Sequence, residues 1–325
     1  MLLSDLRVAL IGYGNVGKAF ARLLWQKRGV YPFRVVGIHT ATRGTAYNQR
    51  GLDLEPEFGA PAASIGEFLD RSRPEVVIEI TTLNPRTGEP AISHIRAAID
   101  RHLHIITANK GPIAHAYAAL NAEAKLAQVE FRFESTVMDG APVFNTLRNN
   151  LPGVTILGFT GALNSTSKIV VAAMERGLSM EDGIREAQAL GITEADASYD
   201  IEGWDSAAKT AALANVLMDA RITPEEVERR GISELTTDEA LALARSGQTT
   251  VLVSKGERIA DRVRLQVRPE VIAQTDMLAT AKGTSNLLLF HTDLMGTIGT
   301  VSINPGVEQT AYGLFIDLVD VARSI

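Results

Sequence analysis

Asp205 and Lys209 are the only charged residues between Gly203 and Met218. They are four apart, so on a helix both project from one face. The rest of that stretch is apolar, small or uncharged, and a helix apolar nearly all round is a buried one. Desolvating an unpaired charge costs roughly several kcal/mol, so the two must be joined or used. An acidic, glycine-containing loop with Glu194, Asp196, Asp200 and Glu202 comes just before, and a helix is predicted to open at about Trp204. A solvated i,i+4 ion pair, worth about 0.3–0.5 kcal/mol, is the bland alternative. The apolar helix and the acidic loop favour a site, in which a tuned lysine can hold or give a proton.

The second group of residues suited to chemistry lies near the N-terminus. Residues 6–11 (LRVALI) form an apolar run of strand formers that ends in Gly12-Tyr13-Gly14-Asn15-Val16-Gly17. A helical pattern follows to about Lys27, with Val16, Phe20, Leu23 and Leu24 on one side. Strand, G-x-G-x-x-G and helix in that order make a dinucleotide-binding fingerprint. The first glycine makes the turn, the second lets a pyrophosphate approach and the third lets helix pack on strand. Asn15 and Val16 open the helix, whose free N–H groups receive the phosphate charge.

Residues 33–39 (FRVVGIH) read as the second strand. An NAD-preferring fold usually ends this strand in an acid. Here the end is His39-Thr40-Ala41-Thr42-Arg43-Gly44, which favours NADP, with Arg43 near the 2′-phosphate and NAD still possible. Strands follow at 75–80, 104–107 and 129–133. Thr81 and Thr82 follow the first of these, and Lys110 follows the second. Both places are carboxyl ends of strands, where open α/β sheets bind their ligands.

Five strands alternating with helices predict a Rossmann-type, doubly wound parallel sheet. A polar crossing near residues 134–142 leads to an α+β region with a mixed sheet, read as the catalytic and dimerisation part. The apolar terminal helix, about 309–322, needs a sheet and is expected to return to the first domain. The expected division is a nucleotide-binding domain at 1–134 and 306–325 and a substrate domain at 135–305.

At 325 residues, 46% hydrophobic and 22% charged, the composition is that of a globular protein. A net charge of −6 with scattered basic residues gives no sign of nucleic-acid binding. The absence of cysteine removes disulfides, thiolate catalysis, Cys-ligated zinc and a thiohemiacetal mechanism. The six histidines show no metal-ligand spacing. No membrane span or secretory signal is visible, so the cytoplasm is the default.

Several pieces in order resemble homoserine dehydrogenase along nearly the whole chain. They are GYGNVG at 12–17, TANKGP at 107–112, ESTVMDGAPV near 134–143, GALNSTS at 161–167 and ALGITEADASYDIEGWDSAAK at 189–209. The resemblance implies reversible NAD(P)-dependent interconversion of aspartate 4-semialdehyde and homoserine, in threonine, methionine and isoleucine biosynthesis. It implies Lys209 as proton donor with Asp205 as its hydrogen-bonded partner at the substrate, and Lys110 between nicotinamide and substrate. It further implies substrate binding by Glu194, Asp200 and Thr166, and a cofactor contact at Gly306. Glu134, with main-chain oxygens of Val137, Asp139 and Ala141, falls on the family's sodium site. A homodimer is expected.

Ser165 replaces the glycine usual in the substrate loop, Asp139 falls where small residues are common, and Ile192 stands where an aromatic residue sometimes sits. The chain stops after the last helix, so neither feedback inhibition through a C-terminal regulatory domain nor a preceding kinase module is expected. Two alternatives stay open: a related dehydrogenase of another small amino or hydroxy acid, and a cofactor-binding sensor with a degenerate site. Intact Lys110, Asp205 and Lys209 argue against the sensor.

Overall fold

A computed structural model describes residues 5–193 and 196–325. Two compact units emerge, one of residues 5–146 and 306–325, the other of 147–305.

The first unit is built on a six-stranded sheet. Its elements are β1 (Leu6–Ile11), α1 (Asn15–Lys27), β2 (Phe33–Thr40), β3 (Gly44–Tyr47), α2 (Ile65–Ser72), β4 (Val76–Glu79), α3 (Ala91–Ile99), β5 (His104–Thr107), α4 (Lys110–Leu126), β6 (Phe131–Arg132) and the start of α5 (Phe144–Asn150), which runs on past Thr146 into the second unit. The strand order is β3-β2-β1-β4-β5-β6. Pairing is parallel except for β2 with β3. The parallel strands are buried on both faces, which explains their continuous runs of Val, Ile and Leu.

The sequence reading missed β3. Gly-Thr-Ala-Tyr is too short to show a period, and the residues before it are polar. The turn depends on Gly44, whose φ is +87° and whose Cβ would lie 2.1 Å from the Gly59 carbonyl oxygen. Arg43 therefore sits in the tight turn of a β2–β3 hairpin, so the sheet is mixed at this edge.

The second unit carries another six-stranded sheet. It comprises β7 (Ile156–Ala162), α6 (Ser165–Glu175), α7 (Met180–Ala189), α8 (Ser198–Ile201), α9 (Trp204–Leu217), β8 (Glu228–Arg229), α10 (Thr237–Arg245), β9 (Gln248–Ile259), β10 (Arg262–Ala273), β11 (Asn286–Thr292) and β12 (Thr297–Ser302). The order is β12-β11-β7-β9-β10-β8, antiparallel except for β8 beside β10. The β9–β10 hairpin runs in unbroken register from Gln248↔Ala273 to Ile259↔Arg262. The sequence predicts shorter strands here, at 250–254 and 262–267, because Lys255, Glu257 and Arg258 read as polar punctuation. In the fold they continue the strand, and Lys255 pairs with Glu257 on one face at 2.7 Å.

Helix α9 packs on β9 and β10. Its alanine-rich surface is buried nearly all round. Gly203 precedes it with φ +83°, a left-handed conformation that favours glycine.

The last helix, α11 (Val307–Ser324), belongs to the first unit. Leu314, Phe315, Leu318 and Val321 enter the same core as Leu6, Val8, Phe20 and Leu24. Phe315 meets Tyr31 edge-on at 5.0 Å between ring centroids. Among the described residues no helix is long and apolar enough to cross a membrane.

Candidate active site

In the first unit the fingerprint loop has the local geometry of a phosphate cradle. Gly12 has φ +106°, and a Cβ there would lie 2.5 Å from the Ile80 carbonyl oxygen. Gly14 is the cap of α1, makes no side-chain cap bond, and has open space where a Cβ would stand. A Cβ on Gly17 would come 3.0 Å from the Ile80 side chain, so this glycine admits the residue that follows β4. Asn15 and Val16 form the first turn of α1, which contains no acid. Helix amides, an open approach and no nearby carboxylate in that turn suit a pyrophosphate.

Arg43 donates to the Tyr13 carbonyl oxygen, and its guanidinium lies over the Phe58 ring at 4.7 Å and the Tyr13 ring at 5.4 Å. This stacking holds the cation beside the fingerprint. Tyr13 donates its hydroxyl to the Leu54 carbonyl at 2.8 Å. Burial, more than the nearby Glu55, raises that phenol's pKa.

Thr81 and Thr82 follow β4. Thr82 is exposed, whereas the Thr81 hydroxyl donates to Glu79. Lys110 is the first residue of α4, capped by Asn109, whose Oδ1 accepts from the Gly111 amide at 3.0 Å. Gly306 caps α11; its amide donates to Gln309 Oε1 at 2.9 Å, so that N–H is already engaged.

The Glu134 carboxylate is buried and accepts the amides of Val143 at 2.5 Å, Phe144 at 2.9 Å and Asn145 at 2.6 Å. It anchors the start of α5. Among the described residues no three acidic, histidine or cysteine side chains gather as a metal site. Val137, Asp139 and Ala141, the other residues expected at a cation, follow the Glu134–Thr136 turn. The backbone there is special, with Asp139 at φ +61° and Gly140 so close to α11 that a Cβ would lie 2.1 Å from the Gln309 carbonyl oxygen.

In the second unit the polar groups converge. Lys209 Nζ lies 3.1 Å from Asp205 Oδ2 and donates to the Leu163 carbonyl at 2.7 Å. The two side chains are only 16% and 11% exposed, so water screens the pair poorly. Asp200 accepts from Thr166 Oγ1 at 2.8 Å and from Thr193 Oγ1 at 2.9 Å. Ser165, the first residue of α6, turns its hydroxyl toward the Thr284 carbonyl. Glu194 lies outside the described residues.

Sequence reasoning missed Asn164. Its Oδ1 caps α6 by accepting the Ser167 amide at 2.7 Å. Its Nδ2 donates to Asp200 at 2.6 Å and to Asp205 at 3.0 Å. One amide thus joins both carboxylates to the start of a helix. The available signal was an Asn at a cap position before Ser-Thr-Ser. Tyr199 was missed too. Its hydroxyl is buried with no hydrogen-bond partner among the described residues, and its pKa is raised by burial first, then by Asp205 and Asp200.

A strand–fingerprint–helix cradle on an open α/β sheet, in a chain that also holds a lysine–carboxylate site, defines a nicotinamide-dinucleotide-dependent oxidoreductase. Residues 12–134 match the homoserine dehydrogenase NAD-binding domain and residues 142–319 match homoserine dehydrogenase. The chain belongs to the homoserine dehydrogenase family.

It is 34% identical to the NAD(+)-dependent homoserine dehydrogenase of Pseudomonas canavaninivorans, over 99% of this chain and 97% of that one. It is also 34% identical to the homoserine dehydrogenase of Methanocaldococcus jannaschii, over 98% of each. Among solved structures, a homoserine dehydrogenase from Archaeoglobus fulgidus superposes with a TM-score of 0.87 at 29% identity, covering 98% of this chain and 99% of that one. A hyperthermophilic archaeal homoserine dehydrogenase in complex with NADPH gives 0.84 at 26%, covering 99% of each.

Proposed function

We propose that Lys209 is the acid/base of an NAD(P)-dependent interconversion of L-aspartate 4-semialdehyde and L-homoserine. The observation that carries this is the network in the second unit: an ammonium held by Asp205 and a carbonyl, with Asp205 and Asp200 joined through Asn164. A nicotinamide, when bound, would supply a hydride to the aldehyde carbon or take one from the alcohol. As the carbonyl becomes an alkoxide, its oxygen needs a cation and a proton; Lys209 gives the proton in reduction and receives it in oxidation. Asp205 fixes the ammonium. Asp200, oriented by Thr166, Thr193 and Asn164, suits the substrate's α-ammonium, and Glu194 is assigned to the same task. Lys110 serves the nicotinamide side.

We assign phosphate binding to Gly12, Gly14, Asn15, Val16 and Gly17, with Thr81, Thr82 and Gly306 as further cofactor contacts. The 2′-phosphate of NADP is assigned to Arg43. The stacked guanidinium supports an NADP preference. Relatives that use NAD or bind NADPH make the cofactor ratio an experimental matter for this chain. A monovalent cation such as sodium, if held at residues 134–141, would be bound by main-chain oxygens.

A homodimer is supported by the outer strand β12, beside which Leu294, Met295, Val301 and Ile303 are 55–77% exposed. A second copy is the occupant that would cover such apolar surface.

The test is NADPH and NADH oxidation with aspartate 4-semialdehyde, run beside the reverse reaction with L-homoserine. Turnover supports the substrate. Cofactor binding without turnover overturns it and turns attention to Ser165.

A further inference from the structure

Glu79, the last residue of β4, has no exposed surface. In the sheet it lies between Ile11, the residue before the fingerprint, and Thr107. A buried carboxylate is costly unless it is bonded. Its Oε1 accepts from the Thr81 amide at 3.1 Å and from the Thr81 hydroxyl, and its Oε2 shares the Thr107 hydroxyl proton, at 3.0 Å, with the Glu79 carbonyl oxygen, also at 3.0 Å. Its basic neighbour is His94 of α3, with Nδ1 at 3.6 Å.

The bonding runs on from there. Thr107 Oγ1 accepts the Asn109 amide at 2.9 Å, and Asn109 Nδ2 donates to the Thr81 carbonyl at 3.3 Å. Asn109 caps α4, whose first residue is Lys110. The loop after β4 is also clamped by glycines. Gly12 bears on Ile80 at its start, and a Cβ on Gly111 would lie 2.9 Å from the Gly88 Cα at its end. Strand pairing would survive without the Glu79 side chain, because β1, β4 and β5 are joined through their backbones. The carboxylate instead holds two segments at the carboxyl ends of β4 and β5, the edge where such sheets bind ligands.

We propose that Glu79 is a positioning residue for the cofactor-dependent reaction, fixing the loop after β4 and the start of α4 with Lys110 as one unit through Thr81 and Thr107. The proposal rests on the assignment of Thr81, Thr82 and Lys110 to the cofactor side.

Full-length Glu79→Gln, Thr107→Val, Thr107→Ser and the Glu79→Gln/Thr107→Val double variant test it. The readouts are the NADPH dissociation constant by fluorescence, kcat and KM with aspartate 4-semialdehyde, and the melting temperature. Glu79→Gln keeps the shape but turns one acceptor into a donor. It is expected to weaken NADPH binding several-fold and to lower kcat by about tenfold or more, since small misplacements are costly in rate. Thr107→Val moves both quantities in the same direction and Thr107→Ser restores them. The double variant is no worse than the worse single one, because both act through one chain of bonds.

Folded Glu79→Gln and Thr107→Val proteins with parental NADPH affinity and kcat overturn the proposal, as do losses that multiply in the double variant. If Glu79→Gln does not fold, the Thr107 pair decides: equal NADPH affinities and rates for Val and Ser overturn it. If the parent binds NADPH but does not turn over aspartate 4-semialdehyde, the substrate reading fails alone. The NADPH affinities of the variants then still decide the role of Glu79.

Discussion

Asn164 donates both hydrogens of one amide to different carboxylates, Asp200 at 2.6 Å and Asp205 at 3.0 Å, while its oxygen caps α6. Local helix chemistry and the proposed substrate site therefore meet in one side chain. Asn164→Ala is expected to remove a cap, worth about 1 kcal/mol of stability. It also leaves Asp200 and Asp205 without their common donor. Thermal melting and steady-state kinetics should show a modest fall in melting temperature with a larger fall in kcat/KM. Asn164→Asp retains a capping oxygen but adds a third carboxylate. It should therefore recover stability without recovering activity. Recovery of both would show that Asn164 matters only as a cap.

Lys209 and Asp205 form the pair on which turnover should depend. Lys209→Ala is expected to lower kcat by about 10²–10⁴-fold, the range for a lost general acid/base, with NADPH affinity unchanged. It also leaves the 11%-exposed Asp205 carboxylate without its ammonium, so the protein should melt earlier. Near-native turnover with intact cofactor binding would assign the proton transfer elsewhere. Asp205→Asn keeps the shape and tests orientation alone; its kcat should fall less than that of Lys209→Ala.

Much of this site was legible in the sequence because its signals are local. A four-residue spacing on an apolar helix placed Lys209 against Asp205, and the glycine spacing after a strand located the cradle at Gly12. What was not legible depends on contacts distant in sequence. Asn164 reaches Asp200 and Asp205, some forty positions away, and nothing in a cap motif announces that. Glu79 reads as an ordinary strand residue until Thr107 is brought beside it in the sheet. β3 was lost because four residues are too few to show alternation. The long β9–β10 hairpin was cut short because charged residues that pair across one face look like loop residues in one dimension.

Arg43 provides a test of cofactor choice. Its guanidinium lies over Phe58 and Tyr13 at a tight turn, fixed beside the fingerprint yet exposed. Arg43→Ala should raise KM for NADPH about tenfold or more, equivalent to about 1.4 kcal/mol or more, and leave KM for NADH within about twofold. Measured with both cofactors on one preparation, the ratio isolates the 2′-phosphate. Equal changes for NADPH and NADH would mean that Arg43 merely braces Tyr13. The side chain is on the surface, so the melting temperature should scarcely move.

Glu134 separates a structural from a cation-binding role. Its carboxylate accepts three amides at the start of α5, two on Oε1 and one on Oε2, and a neutral amide side chain offers an oxygen at only one of those positions. Glu134→Gln should therefore lower the melting temperature by several degrees, since hydrogen bonds to a charged group are worth roughly 1.5–3 kcal/mol each. The shift should be the same in sodium, potassium and choline chloride at equal ionic strength. A loss confined to sodium would place a cation on the Glu134 side chain.

Tyr199 predicts how stability changes at high pH. Burial, then the charges of Asp205 and Asp200, raise its pKa above the usual 10.0, and its hydroxyl has no hydrogen-bond partner among the described residues. In the unfolded chain this phenol ionises near pH 10, while in the folded chain it keeps its proton. Its contribution is therefore fully present below pH 10 and is lost as pH rises toward the folded pKa, because the unfolded state alone gains from ionising. Tyr199→Phe removes both the ionisation and an unmet buried hydroxyl, a change expected to be neutral or stabilising. Melting temperatures from pH 8 to 11 should fall less steeply for the variant than for the parent. Whatever their offset at pH 8, the gap between the two curves should widen only as pH approaches and passes about 10, where the unfolded phenol ionises. Parallel curves would mean that another group sets the alkaline limit.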